Sequence, residues 1–129
     1  MIIKRYNMFD GKNDKFPDIK KIEIDGFQVY IGKDAKSNDY LTFNIAKDSD
    51  IWLHAKGVPG SHVVIVVNSN LPSLDLIKKV SELAKKNSKG KNIDNQVVVY
   101  CKREFVKKSS EMNDGQVSVD YKNADNITI

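Results

Sequence analysis

Side chains with chemical capability crowd into one stretch of this chain. His54 and His62 are its only histidines and Trp52 its only tryptophan, and all three lie between Asp50 and Val67 with Ser61 beside His62. Such residues suggest hydrolysis or metal binding. Two imidazoles make only part of a zinc site, which takes three or four ligands, and Asp50 is a weak third. Ser61 lacks the strand-turn-helix elbow of a hydrolase serine, and spacing identifies no acid partner for it. A metal-dependent hydrolase or nuclease is therefore the least supported reading; no catalytic residue, metal or cofactor is assigned. A second reading makes both histidines structural, hydrogen-bonded to loop carbonyls.

The third reading is recognition. Gly57 and Gly60 carry no Cβ, so the backbone N–H groups of the loop can approach a phosphate closely. Ser61 and His62 add side-chain donors and Lys56 adds a cation. Trp52 offers a face on which an unpaired base could stack, the usual mode of single-strand RNA recognition; its alternative role is a core residue. Lys33, near Asn38 and Asp39, is placed on the same surface, although an ordinary strand-end lysine has the same appearance.

The elements that hold these residues are readable from periodicity. Ile51, Leu53 and Ala55 alternate with Trp52, His54 and Lys56, the pattern of a half-buried strand. Residues 63–67 are an unbroken β-branched run, suited to a strand covered on both faces. Gly57, Pro59 and Gly60 supply the turn between them. Upstream, Asp25-Gly26 separates two alternating runs and predicts a tight hairpin with positive φ at the turn. A helix is expected over 39–46, capped by Ser37 or Asn38. A longer helix opens at Pro72-Ser-Leu-Asp, with Leu76, Ile77, Val80, Leu83 and Ala84 as its core stripe and Gly90 as its left-handed cap. Lys78, Lys79, Lys85, Lys86 and Lys89 fall on the opposite face. Residues 96–101 form a dense strand, and 116–121 and 127–129 read as closing strands. Residues 1–20 read as a loosely ordered lead-in or an edge strand near Ile2.

Composition narrows the class. A chain of 129 residues fits one domain, and 40% hydrophobic with 29% charged residues is ordinary for a globular protein. The single cysteine, Cys101, has no partner within the chain for a disulfide and points to a cytoplasmic location. No apolar run approaches a membrane span, and Met1-Ile-Ile-Lys-Arg is too short and too charged for a signal peptide. The net charge is +4, and residues 72–108 alone carry ten Lys and Arg against Asp75, Glu82, Asp94 and Glu104, so the basic character is concentrated there. A basic segment on a slightly acidic remainder suits a nucleic-acid footprint, although many Lys-rich helices are only solvated.

Asp50-Ile-Trp-Leu-His-Ala followed by Pro59-Gly-Ser-His-Val-Val closely resembles the signature of the NFACT-R domain, an RNA-binding module. Gly26-Phe-Gln-Val-Tyr-Ile-Gly-Lys, Val97-Val-Val-Tyr, Val106-Lys-Lys and Gly115-Gln-Val extend the resemblance in the same order, from about Glu23 onward. Where family members often have a basic Pro- and Gly-rich loop, this chain has Ser109-Ser-Glu-Met-Asn-Asp. The resemblance implies a role in ribosome-associated quality control and binding to tRNA or ribosomal RNA, with the large ribosomal subunit as a further partner. The family's usual preceding domains are absent from the sequence, which reads as a stand-alone module whose companions a separate protein supplies.

The expectation is thus an α+β fold: one compact domain over 1–129, a mostly antiparallel sheet carrying two helices on one face. Its function is non-catalytic RNA binding through Lys33, Trp52, His54, Lys56, Gly57, Gly60, Ser61, His62, Lys79, Lys86, Lys107 and Lys108, with no membrane partner. A protein–protein adaptor is the alternative.

Overall fold

The computed structural model describes the backbone of residues 3–7 and all of residues 18–129. A seven-stranded antiparallel sheet runs β1 (Ile3–Asn7), β2 (Ile19–Ile24), β3 (Phe27–Gly32), β5 (Val63–Ile65), β4 (Ile51–Ala55), β6 (Val97–Lys102), β9 (Asp125–Thr128) in spatial order. Helix α1 (Ala35–Tyr40) continues directly into a π-helical turn, Leu41–Ile45. Helix α2 (Leu74–Lys86) follows β5, and a two-stranded ribbon pairs β7 (Val106–Lys107) with β8 (Ser118–Val119). The α+β class and antiparallel pairing are those the sequence predicts.

Local chemistry explains most elements. Asp25 (φ 50°) and Gly26 (φ 86°) form the turn that aligns Ile24 opposite Phe27. Ser73 caps α2, accepting the Leu76 N–H at 3.1 Å. Leu76, Ile77, Val80 and Ala84 are buried under this helix. Each large aliphatic among them contributes about 1.5–3 kcal/mol relative to exposure.

The two helices lie on opposite faces of the sheet, not on one. Leu53, Val63, Ile65 and Val98 pack with the α2 stripe in one core. Their strand neighbours Trp52, Val64, Val99 and Cys101 pack with Leu41 and Val106 in a second. The run at Val63–Ile65 is completely buried because both sides of the sheet are covered.

Three further expectations need correction. The first helix begins at Ala35, because Asp34 is its N-cap: its carboxylate accepts the Ser37 N–H while Ser37 Oγ accepts the Asp34 N–H, both at 2.8 Å. Gly90 has no positive φ; it leaves room for the Gln96 side chain instead. The last two strands do not close on each other: β8 pairs with β7, and β9 extends the main sheet at β6. The predicted edge strand near the N-terminus is β1, although Ile2 and residues 8–17 of the lead-in lie outside the described residues.

Candidate nucleic-acid interface

Strand alternation puts Trp52 and His54 on one face of β4, and His62 enters at the start of β5. The three rings form a compact group, with centroids 5.0 Å apart for Trp52–His62, 5.2 Å for His54–His62 and 5.8 Å for Trp52–His54. Thr42, on the π-helical turn, closes it. The Trp52 indole N–H donates to Thr42 Oγ1 at 3.2 Å, and Thr42 Oγ1 lies 2.9 Å from His62 Nδ1. With the threonine oxygen accepting from the indole, its own hydrogen is available to His62 Nδ1, and the ring hydrogen is then assigned to Nε2.

Burial keeps both imidazoles uncharged. His62 is pushed down to about 3, first by burial, then by repulsion from His54 when that ring is protonated and from Lys108, against the opposing Gly115 and Asn38 backbone. His54 is pushed down to about 4 by burial. Trp52 and His62 are each 1% exposed, so Trp52 offers no stacking face and His62 no phosphate donor. His54 is only half-buried, and its Nδ1 has no hydrogen-bond partner among the described residues.

The 57–62 loop is stitched to the protein and does not present a free cradle. Ser61 N–H donates to the Asn87 carbonyl at 3.0 Å, and His62 N–H donates to Asn38 Oδ1 at 2.9 Å. Asn38 Nδ2 donates to the Gly60 carbonyl, and Lys89 N–H to that of Pro59. The backbone N–H groups of Ser61 and His62 are thus consumed internally. Gly57 (φ 80°) is required by its backbone conformation, whereas Gly60 is required because a Cβ would strike Ser88. Asp50 is likewise structural. Its carboxylate accepts from Lys47 and from the Val67 N–H, at the end of the hairpin away from the histidines. Among the described residues no group of three or more His, Cys, Asp or Glu is placed to hold a metal. Cys101 is buried and its thiol is pushed up to about 11, chiefly by burial.

This rigid loop forms one wall of a groove of about 740 Å³. Lys33, His54, Gly60, Ser61 and Lys86, all predicted from sequence, line it together. Lys89 and Lys91 add two cations, and the fold adds Asn38 and Asn87 as polar wall. Lys33 also pairs with Asp18 at 3.3 Å. Asp34 and Asp114 are the acids on the rim. The sequence signal for Lys91 is its place in the Ser88-Lys-Gly-Lys run just beyond α2; Asn38 is marked only as a cap candidate near Lys33, not as part of the groove wall.

Other predicted lysines lie elsewhere or are already engaged. Lys79 is held by Asp25 at 2.6 Å and Asp75 at 3.2 Å. Lys108 pairs with Asp39 at 3.0 Å and donates to the Asn113 and Gln116 carbonyls at 2.8 and 2.9 Å, so it fastens the 109–116 loop. Lys107 lines a separate concavity between α1 and that loop. Lys56 lies over the Tyr121 ring, 4.7 Å from its centroid.

A family model described as NFACT protein RNA binding domain matches residues 15–121. The chain is 39% identical over 95 residues to the Rqc2 homolog RqcH of Bacillus subtilis (strain 168), covering 74% of this chain and 16% of the relative. The Rqc2 homolog RqcH of Streptococcus suis is 44% identical over 64 residues, covering 50% and 11% respectively. The chain therefore spans less than a fifth of the length of these curated relatives. Among solved structures it resembles the C-terminal part of the fibronectin/fibrinogen-binding protein from Streptococcus suis. That likeness has a TM-score of 0.79 and 28% identity, and covers 95% of this chain and 48% of the other. With the match spanning most of the sequence, the chain belongs to the family of NFACT protein RNA binding domains.

Proposed function

We propose that this domain binds RNA through the groove between the 57–62 loop and the C-terminal end of α2. The observation that carries this reading is the convergence of Lys33, Lys86, Lys89 and Lys91 on one rigid concavity. Phosphate contacts by such lysines supply affinity and position the strand, and carry no sequence information themselves. Neutral His54 and the Asn87 side chain supply polar, uncharged contacts in the same groove. Asp114 opposes phosphate at the rim, where the chain departs from the basic loop of its family.

The target is tRNA or ribosomal RNA at the large ribosomal subunit, in ribosome-associated quality control in the cytoplasm. The family and the Rqc2 homologs among its relatives support this choice. The protein acts by holding RNA, without chemistry on it. Crosslinking in cells followed by sequencing of the attached RNA tests the target. Enrichment of tRNA or ribosomal RNA at groove peptides is expected, and crosslinks confined to messenger RNA would contradict the choice.

A further inference from the structure

A smaller cavity of about 440 Å³ adjoins the groove. Val99, Met112, Val117 and Val119 give it apolar walls, and Tyr121 stands at its edge. His54, Gly115 and Gln116 line both the cavity and the lysine groove, so the two open side by side. Tyr121 is 56% exposed although it is a large aromatic residue, and Lys56 lies over its ring. An exposed aromatic thus stands at the mouth of a partly apolar cavity, next to a cationic track.

We propose that this cavity receives one unpaired nucleobase of the bound RNA, stacked on Tyr121, while the adjoining phosphates lie along the groove lysines. Aliphatic side chains interleaved with polar ones, here His54, Lys56 and Gln116, make a mixed lining that suits the apolar face and polar edge of a base. A base has a flat apolar face for Tyr121 and polar edges for the His54, Lys56 and Gln116 side chains that line the cavity. Aromatic platforms beside basic grooves are how proteins hold single strands without reading a fixed sequence. A paired base is already stacked in its helix and cannot enter, so the cavity selects for single-stranded or looped RNA. The inference rests on RNA binding by the groove and adds to it what structure the RNA must have.

The test uses the full chain and a mixed-sequence RNA oligonucleotide carrying 2-aminopurine, either single-stranded or annealed to its complement. Binding of the single strand should quench the 2-aminopurine fluorescence. Tyr121→Ala should abolish the quenching and weaken single-strand binding about tenfold. It should leave duplex affinity unchanged, and Tyr121→Phe should behave as the parent. Because Tyr121 is exposed, these changes do not threaten folding. Unaltered single-strand binding by Tyr121→Ala, or an equal loss for both RNA forms, would overturn the cavity while leaving the groove standing. If the parent protein binds neither form at low salt, RNA binding itself fails and the cavity with it.

Discussion

The Asn38 side chain holds His62: its Oδ1 accepts the His62 backbone N–H at 2.9 Å, and its Nδ2 reaches the Gly60 carbonyl at 3.2 Å. One carboxamide on α1 thereby fixes both sides of Ser61 in the 57–62 loop. Gly32 has no Cβ because one there would collide with Asn38.

Asn38→Ala leaves the buried His62 N–H without a partner, which costs about 1–3 kcal/mol. Urea unfolding should show that loss as a lower midpoint with an unchanged slope. Asn38→Asp keeps the acceptor but turns a buried carboxylate oxygen toward the Gly60 carbonyl, so at neutral pH it should also fall below the parent. Equal stability of all three would show that the clamp is dispensable.

Much of this arrangement is legible in the sequence, and the illegible part has a common cause. The Asp25-Gly26 turn and the α2 stripe follow from local spacing, and both appear where spacing puts them. Ser37 and Asn38 are good caps by residue type, so the sequence places the start of α1 too late, whereas Asp34 is the residue that caps the helix. The role of Asn38 depends on partners 22 and 24 residues away, and no local pattern encodes them. The Val63–Ile65 run shows that both faces of the sheet are covered without showing which helix covers which. Trp52 fits core and stacking platform alike by type; only the placement of Thr42 beside its indole decides for the core. Lys79 shares a helical face with Lys86, whereas Asp25, far away in sequence, holds it.

Acid should destabilise the fold through its histidines. The folded imidazoles titrate at about 4 for His54 and about 3 for His62, below the ordinary value of 6.5. The unfolded chain therefore binds more protons once the pH drops below that ordinary value. The stabilisation is complete above it and is lost as pH falls toward the folded values. Each imidazole should forfeit about 1–2 kcal/mol between about pH 7 and pH 5. Chemical denaturation at a series of pH values reads this, and His54→Phe should shrink the slope. A flat profile through that window would contradict burial of neutral rings.

Lys108 should influence RNA binding by position and not by charge contact. Its ammonium is engaged by Asp39, Asn113 and Gln116, and the loop it fastens carries Gly115 and Gln116 into the groove wall. Lys108→Ala should weaken RNA binding by roughly threefold to tenfold with an unchanged salt slope, since a lost phosphate contact alone lowers that slope by about 0.7–0.9. Loss of slope would place Lys108 on the RNA.

The salt dependence of RNA affinity tests the central claim most directly. Lys86→Ala, Lys89→Ala and Lys91→Ala combined should reduce the slope of log K against log salt by about 2–3 relative to the parent. Lys79→Ala, made alone as the comparison, should leave both slope and affinity unchanged, because Asp25 and Asp75 already hold that lysine. A triple variant with the parent's slope, or a loss of slope in Lys79→Ala, would contradict the groove as the RNA-binding surface.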